Sequence, residues 1–472
     1  MAGVSALAVS VALTGSPEAW AQALLADLDL GDPRRERRAR GILAALAAHP
    51  RDSIPQAMGS WAASKGAYRF LASERVWPDA LLEAAGRAAA RACRGRPSVG
   101  CAQDTTTLSF PRAHAMEGLG PVTNLDVPGL HVHSALAVST DGQVMGLVGQ
   151  QVWSRPQGLS TRRLRGRPRH RRESAKWSRG IAQARAAFAR EPQPPRLIHL
   201  FDREGDITEV FAHVLAAGEG AVIRSLHDRR VLGDRGEVVH AHALIAAAPV
   251  LTRTQVQIVR RDGRPARTAQ VQVRALRLVL APAGRKGKGP PLVLWLVEVR
   301  EVDAPAGLEP LLWRLWTTEP AEVAEQALEV VALYRLRWKI EEVHLVLKSG
   351  CRIEDLRLAS AARLQKALAL LTPVAARVVA LRDLSRISPA VPCTRVLTDS
   401  EWRALWTRTQ GAPPGPRTRP PTLAVATAWI GRLGGHLGRK GDGPPGVRTL
   451  WRGLRDLAVL AELFEILHRH PP

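Results

Sequence analysis

The order of strand and helix patterns in the middle of the chain limits its fold more than any other feature. Three strand-like runs come first: SVGCAQD, which ends on Asp104, then HVHSALAVST and QVMGLVGQQVW, joined through Asp141 and Gly142 as in a hairpin. A helix, the buried strand LIHLF ending on Asp202, a second helix and the strand AVIRS follow. A right-handed crossover would bring the fourth strand beside the first in a mixed α/β sheet. We therefore expect Asp104 and Asp202 side by side at one sheet edge.

The chain before this core predicts helices. Residues 20–95 contain Ala-rich and Leu-rich runs, punctuated by LGDPRRERRAR and GAYRFLASERVWP. Residues 1–19 superficially resemble a secretory signal, but they lack the positively charged start that such signals have. We interpret residues 1–19 as an N-terminal extension that need not be ordered, and residues 20–95 as a small helical domain.

The pattern changes twice after the strand AVIRS. From about 228 to 310, long alternating runs predict a β-rich insertion with a hairpin turn at Asp262 and Gly263. We assign residues 96–372 to the core, including this insertion, and residues 373–472, which contain Pro-rich connectors, to a helical C-terminal domain. The last segment, LWRGLRDLAVLAELFEILH, has helical apolar spacing, which fits either a single buried helix or a partner-binding helix.

The charge of the chain points to a polyanionic partner. There are 67 Lys and Arg residues against 43 Asp and Glu, a net charge of +24, which attracts nucleic acid above all. A general bias toward arginine in the genome is the alternative explanation. Four widely spaced cysteines argue against a disulfide framework or a zinc motif and fit a reducing compartment. No apolar run looks long and charge-free enough for a bilayer, so we expect a cytoplasmic protein of the bacterial nucleoid and no membrane partner.

Basic and aromatic residues occur together in the N-terminal helices. Arg34 and Arg35 begin an arginine run in the first turn of one predicted helix, and Tyr68, Arg69 and Phe70 follow in GAYRF. A solvated face and two core aromatics would also explain these residues. With the overall charge, we favour a DNA-binding surface.

The stretch YRLRWKIEEVHLVLKSG predicts a helix that ends at Gly350. At about 100° per residue, Tyr334, Arg337, Glu341 and Lys348 fall on one arc of roughly 60° opposite the apolar residues. An ordinary surface ion pair between Arg337 and Glu341 is the simplest explanation of this stripe when it is taken alone.

These motifs together resemble a known family. DTTTLSF at Asp104, DREGDI at Asp202 and the spacing Tyr-x2-Arg-x3-Glu-x6-Lys, met without a gap from Tyr334, are similar to the DDE cut-and-paste transposases of the insertion-sequence-four family. LGDPRR, GAYRF, ESAKW, WTTEP and the late LGG and LW elements resemble the family in the same order. The resemblance covers nearly the whole chain from Trp20 onward.

The resemblance implies a ribonuclease H-like core with a catalytic triad of Asp104, Asp202 and Glu341. These carboxylates would bind Mg²⁺ or Mn²⁺, two ions per active site when DNA is bound, which agrees with the preference of hard cations for oxygen ligands. The implied reaction is hydrolysis of a phosphodiester at the transposon end. The freed 3′-hydroxyl then forms a hairpin, and after the hairpin opens it attacks target DNA.

The resemblance also implies roles for residues around the triad. Tyr334, Arg337 and Lys348 would hold phosphate near a base flipped out of the DNA stack, and Trp313, which lies 21 residues before Tyr334, would stack beneath that base. A core tryptophan is the alternative for Trp313. Arg224, which lies 22 residues after Asp202, matches a family arginine near the DNA.

The implied partners are double-stranded DNA, both the inverted repeats at the transposon ends and the target, and a second copy of the chain. The C-terminal helical domain would form this homodimer in the synaptic complex. Two other functions remain open at this point: a non-catalytic DNA-binding regulator or inhibitor derived from a transposase, and a simple ribonuclease H-like nuclease that cuts without joining.

Overall fold

The computed structural model of the chain describes residues 15–112, 115–122, 127–156, 173–233, 235–258, 266–281 and 292–469. The expected turn at Asp262 and Gly263 and most of the expected N-terminal extension lie outside the described residues.

Helices form the N-terminal region, as predicted. They are α1 (Pro17–Leu24), α2 (Pro33–Ala48), α3 (Ile54–Met58), α4 (Trp61–Ala72) and α5 (Pro78–Ala92). The α1 helix begins at Pro17, where Ser16 Oγ accepts a hydrogen bond from the Ala19 amide at 3.2 Å. The expectation that the extension runs to residue 19 is therefore wrong for its last three residues, and Trp20 after them is buried.

The strands of the described residues join one mixed sheet. They are β1 (Ser98–Ser109), β2 (Gly120–Pro121), β3 (Pro128–Ser139), β4 (Val144–Trp153), β5 (Arg196–Phe201), β6 (Gly220–Arg224), β7 (Arg230–Leu232), β8 (Val238–His240), β9 (Thr252–Ile258), β10 (Arg267–Leu280), β11 (Val293–Glu301) and β12 (Leu312–Thr317). Their order is β2-β3-β1-β5-β6-β12-β11-β10-β7-β8, with β4 paired to β3 and β9 to β10. The pairs β1 with β5 and β5 with β6 are parallel, and the other pairs are antiparallel. The predicted mixed α/β sheet is confirmed.

The fourth long strand does return beside the first. β5 pairs with β1 in parallel from Ser98 opposite Arg196 to Ala102 opposite Leu200. Asp104, however, does not end its strand, because β1 continues to Ser109 along β3. The expectation of an acid at a strand end is wrong for Asp104: the three threonines after it favour extended backbone, and the long antiparallel partner β3 gives them hydrogen bonds.

The β-rich region after residue 228 belongs to the same sheet. β7 to β11 extend it beyond β12, which pairs with β6 on one side and β11 on the other. One short helix, α8 (Ala241–Ala247), interrupts these strands. The insertion therefore widens the core sheet, and its return strand carries Trp313 back beside Arg224.

Helices cover both faces of the sheet. On one face, α6 (Ala175–Phe188) and α7 (Thr208–Ala216) bury Trp177, Phe201, Phe211 and Trp316 in one cluster. On the other face lie three later helices: the first packs mainly on β5, β6 and β10, the second on β1 and β3, and the third on β4, which α5 also contacts. These later helices are α9 (Ala324–Leu336), α10 (Trp338–Leu345) and α11 (Ala361–Ile387).

The segment from Tyr334 to Gly350 is not one regular helix. The helix is interrupted at Arg337, which separates α9 from α10, and it finishes in a π-helical turn, Val346–Gly350. The single helix predicted from the apolar period is wrong in this respect. An extra residue in the last turn changes the angular position of Lys348, since a π turn has more than 3.6 residues.

The α11 helix crosses the predicted end of the core. It contains Pro373 in its interior, and residues on both sides of the 372/373 boundary are buried. A proline removes one helical hydrogen bond, which here does not end the helix because neighbouring elements pack around it. Among the described residues, α11 is also the helix long and apolar enough to cross a membrane, contrary to our expectation from the sequence. Within the protein, however, 89% of its most apolar window is buried.

The C-terminal region contains α12 (Asp399–Gln410), α13 (Leu423–Leu433) and α14 (Val447–Arg469). The first half of α14 is buried against α12 and α13 through Leu450 and Leu457. Its second half exposes an apolar stripe that we call the α14 stripe: Val459, Leu463, Ile466 and Leu467. The first half of α14 is thus a buried helix. The second half leaves an apolar surface exposed, as a partner-binding helix does.

Candidate active site

Asp104 lies on β1 in a half-buried position, on the sheet face that α10 covers. Its neighbour on that face, Ala102, is fully buried in the cluster that contains Ile340 and Val343 of α10. Burial raises the pKa of Asp104 to about 7, the Arg337 charge opposes this, and the charges of Asp202 and Glu341 raise it further. The ionised form of Asp104 is therefore unfavourable, because the charge of Arg337 does not offset the cost of burial.

Asp202 follows the last residue of β5, as predicted. Its Oδ1 accepts a hydrogen bond from the Glu204 amide at 2.9 Å and so caps the short 3-10 helix Arg203–Gly205. Burial raises the pKa of Asp202, while this backbone hydrogen bond lowers it. The cap fixes the direction of the carboxylate at the end of the strand.

Glu341 lies in the first turn of α10 and faces Arg337. Arg337 Nη2 donates a 2.6 Å hydrogen bond to Glu341 Oε1. The structure thus brings two of the predicted acids, Asp202 and Glu341, within electrostatic range of the third, Asp104. As the side chains stand, no group of three His, Cys, Asp or Glu residues in the described part of the chain is placed to hold a metal ion.

Arg337 is buried, with 7% of its surface exposed, and it is not part of a solvated face. Its guanidinium lies 5.7 Å from the Tyr334 ring and 5.8 Å from the Trp338 ring. Burial lowers its pKa, but Tyr334 and Glu341 outweigh that effect and raise it. The buried Nε atom of Arg337 has no hydrogen-bond partner, so the guanidinium is held by its Nη2 bond to Glu341 and by the two flanking rings.

Lys348 binds the chain itself. Its Nζ donates to the Thr107 carbonyl at 2.9 Å and lies 3.6 Å from Glu354 Oε1. Glu354 in turn accepts a 2.8 Å hydrogen bond from the Ser109 amide. Lys348 therefore connects the π turn to β1 at Thr107, three residues after Asp104. About a third of the Lys348 side chain remains exposed.

Two histidines near Asp104 were not found from the sequence: His344 on the same face of the sheet, and His133 on the opposite face. His344 is buried one turn after Glu341, with Nδ1 3.9 Å from Asp104 Oδ2. Burial lowers the pKa of His344 to about 3, so it is neutral and this contact is no ion pair. His133 on β3 bridges Gln103 at 3.0 Å and Thr105 at 2.9 Å. In the sequence, the helical spacing of apolar residues places His344 on the buried side of α10. No other feature of the sequence pointed to either histidine.

Trp313, Tyr334 and Arg224 meet next to the acids. The rings of Trp313 and Tyr334 are 5.5 Å apart in an edge-on arrangement. Arg224 donates to the Leu312 carbonyl at 3.2 Å, and burial lowers its pKa although Tyr334 favours its charged form. Trp313 remains half-buried, whereas Trp316 on the opposite face is fully buried. Trp313 packs partly against the core cluster that contains Tyr334, as a core tryptophan would, and leaves part of its surface exposed.

The N-terminal arginines differ in what they can contact. Arg34 is exposed, but Arg35 donates to the Leu30 carbonyl and lies 3.4 Å from Asp32. An arginine engaged in this way is less available to a ligand, because it would have to break those contacts first. The expectation that Arg34 and Arg35 share one role does not fit these contacts.

The α4 helix presents an aromatic and basic face. Tyr68 and Arg69 are exposed, as a ligand surface requires, whereas Phe70 is buried. Trp61, with 80% of its surface exposed, precedes them by about two turns on the same side of α4, and Lys65 precedes them by about one turn. The sequence did not single out Trp61, because nothing in its spacing distinguishes it from a core residue.

Comparison with protein families assigns the three regions. Residues 17–76 match a transposase DNA-binding domain, residues 149–376 a transposase DDE domain, and residues 373–467 the transposase Tn5 dimerisation domain. The chain carries the three domains of a Tn5-type transposase. Asp202 and Glu341 lie within the residues matched to the DDE domain, and Asp104 lies before them. The domain names support DNA binding, homodimer formation and DNA transposition.

The donor set agrees with the divalent metal ions that DDE transposases generally use. Carboxylate oxygens are the preferred ligands of such hard cations, and Asp104 is a buried acid whose charge is not balanced. In the present arrangement Glu341 Oε1 accepts the hydrogen bond from Arg337.

Proposed function

We propose that this protein cuts DNA at transposon ends and joins the freed 3′-hydroxyl to target DNA. The observation that carries this proposal is the convergence of Asp104, Asp202 and Glu341 on one sheet face, within a chain that bears transposase domains. The order of cutting would be a nick, a hairpin and the opening of that hairpin. The strand order around β1, β5 and β6 supports a ribonuclease H-like core.

The three acids would hold Mg²⁺ or Mn²⁺, with two ions per active site when DNA is bound. Such ions activate an attacking oxygen and stabilise the leaving oxygen of a phosphoryl transfer. Asp202 is already oriented by its cap, and Asp104 is fixed by the strand on which it lies. Glu341 would complete the set from α10 once it leaves Arg337.

Residues around the acids would position the DNA. Trp313 is half-buried at the surface, so one face of its indole could stack on a flipped base while its edge rests on Tyr334. Arg224, Arg337 and Lys348 would supply positive charge to the backbone of the same strand. Arg224 and Lys348 are held by backbone carbonyls and Arg337 by Glu341, so each would exchange an internal contact for a DNA phosphate.

Binding of the transposon end would use the N-terminal helices, chiefly Arg34 and the exposed face of α4 with Tyr68 and Arg69. Pairing of two ends would use the C-terminal domain, where the α14 stripe is an exposed apolar surface that a second copy could cover. Both activities belong to a protein that acts on chromosomal DNA, so we place it in the cytoplasm.

The decisive experiment incubates the purified full chain with DNA that carries the element's own terminal inverted repeats, in the presence of Mg²⁺. Denaturing gels should show nicks, hairpins and products joined to a target plasmid. Nicks without joined products would indicate a simple nuclease, and binding without any cleavage would indicate a DNA-binding regulator.

A further inference from the structure

We propose that Arg337 is a positioning residue that keeps Glu341 from the metal ions until a DNA phosphate takes the arginine away. This inference rests on the proposed function, since it concerns the same carboxylates. It goes further by giving Arg337 two alternating partners, a carboxylate of its own chain and a phosphate of the substrate. The consequence is that the metal site is completed only on DNA.

The geometry shows one side of this exchange. Arg337 Nη2 bonds Glu341 Oε1 at 2.6 Å, and the described residues contain no three-acid group that is ready to hold an ion. Arg337 sits at the interruption between α9 and α10, where Tyr334 and Trp338 flank its guanidinium. The buried Nε has no partner, so the guanidinium can turn without breaking any hydrogen bond other than that to Glu341.

The charges explain why an arginine is needed there. Asp104, Asp202 and Glu341 repel one another on a face with little water, and Arg337 is the positive group that lowers the pKa of both aspartates. A cation and a guanidinium in the same position would repel each other. Metal binding without DNA must therefore work against the charge of Arg337 and break its hydrogen bond to Glu341.

A DNA phosphate gives Arg337 another partner. Arginine binds phosphate and carboxylate with the same planar set of donors, so the guanidinium can pass from Glu341 to the DNA backbone at little cost. Glu341 is then free to turn toward Asp104. Cleavage would thereby be restricted to DNA seated in the site, and free Mg²⁺ would bind the unoccupied protein weakly.

The test measures Mn²⁺ binding to the full chain by the loss of the free-ion signal in electron paramagnetic resonance, first without DNA. Arg337→Gln should bind Mn²⁺ at least about tenfold more tightly than the parent, because it removes both the competing hydrogen bond and the repulsion. Arg335→Gln is the matched control, since it removes the same charge from an exposed position near the end of α9, two residues before Arg337, and should leave Mn²⁺ affinity unchanged. Arg337→Lys keeps the charge and should remain close to the parent.

Two further measurements connect the effect to Glu341 and to DNA. In the Arg337→Gln background, Glu341→Gln should remove the gain in Mn²⁺ affinity. A duplex carrying the terminal inverted repeat should tighten Mn²⁺ binding to the parent more than to Arg337→Gln. Circular dichroism melting identifies any variant that is not folded, and for such a variant Arg337→Lys and the DNA dependence of the parent decide the question.

The outcomes distinguish a failure of this inference from a failure of the proposed metal-dependent function. Weaker or unchanged Mn²⁺ binding by folded Arg337→Gln would overturn the exchange while leaving the metal site intact. So would Mn²⁺ affinity of the parent that does not respond to the duplex. Mn²⁺ binding that ignores Asp104→Asn, Asp202→Asn and Glu341→Gln alike would overturn the metal assignment itself.

Discussion

Asp104 and Asp202 each lie two residues beyond the last paired positions, Ala102 and Leu200, of two adjacent parallel strands. They therefore share one level of the sheet and one face, although one strand continues and the other ends. The two carboxylates can act on the same ligand without any movement of the backbone. Glu341 is the third acid, and it alone comes from a helix.

Replacing any of the three acids should abolish cleavage but not DNA binding. We expect Asp104→Asn, Asp202→Asn and Glu341→Gln each to lower the rate of strand nicking by at least about a thousandfold. Gel shifts should show DNA affinity close to that of the parent. Glu204→Gln, an exposed acid two residues from Asp202, is the control and should retain activity. Full nicking by any of the three variants would contradict the assignment.

Removing the Trp313 indole should separate nicking from hairpin formation. Stacking of a base on an aromatic ring contributes about 1–3 kcal/mol, so Trp313→Ala should reduce the hairpin rate by roughly five- to a hundredfold while the first nick persists. Trp313→Phe keeps an aromatic face and should recover part of the rate. Single-turnover time courses on denaturing gels measure both steps. Equal hairpin yields from the parent and Trp313→Ala would refute the stacking role.

Arg34 and Arg35 should respond differently to substitution. Arg34→Gln removes an exposed charge, so the slope of log affinity for end DNA against log salt should fall by about one. Arg35→Gln breaks contacts with Leu30 and Asp32, and it should lower the melting temperature more than the salt slope. Fluorescence anisotropy at several salt concentrations checks the first effect and calorimetry the second. A larger change of slope for Arg35 would reverse this assignment.

The stability of the metal-free protein should depend on pH through the titration of Asp104. Its pKa is about 7 in the folded chain against 3.8 for an ordinary aspartate, so between these values the folded state keeps a proton that the unfolded state has lost. This contribution to stability is full below about pH 4 and is lost as the pH rises through about 7.

Asp104→Asn lacks this titration, so with EDTA present its melting temperature should decline less than that of the parent between about pH 5 and pH 8. Other groups titrate alike in both proteins, and the difference between the two curves isolates Asp104. Parallel curves would show that the pKa of Asp104 is not raised.

The α14 stripe should control self-association. Leu463→Glu places a charge in the middle of four exposed apolar side chains and should prevent the end-paired complex from forming while single-end binding continues. Lys440→Glu, which changes an exposed residue outside the stripe, is the control. Light scattering of the DNA complexes distinguishes one copy from two. If Leu463→Glu still forms the paired complex, the dimer contact lies outside the α14 stripe.

The sequence predicted the mixed sheet and the adjacency of β1 and β5, because strand order and crossover handedness leave few arrangements for these two strands. It did not predict the interruption at Arg337 or the π turn that carries Lys348, since a fixed period assumes a uniform helix. Nor could it show that Tyr334 and Arg337 are buried. Their burial depends on Trp313 and on the acids of β1 and β5, which are distant in sequence. Arg35 likewise donates to the backbone carbonyl of Leu30, a contact that the order of side-chain types does not predict.

The α11 helix has a consequence for how such a protein can change over time. The residues matched to the DDE and dimerisation domains overlap within it, at 373–376, and the helix runs without a break through both. No linker exists there at which one module could be exchanged for another by recombination. A gene product truncated before α11 would lose buried residues of the core, so the DDE and dimerisation domains depend on one shared helix.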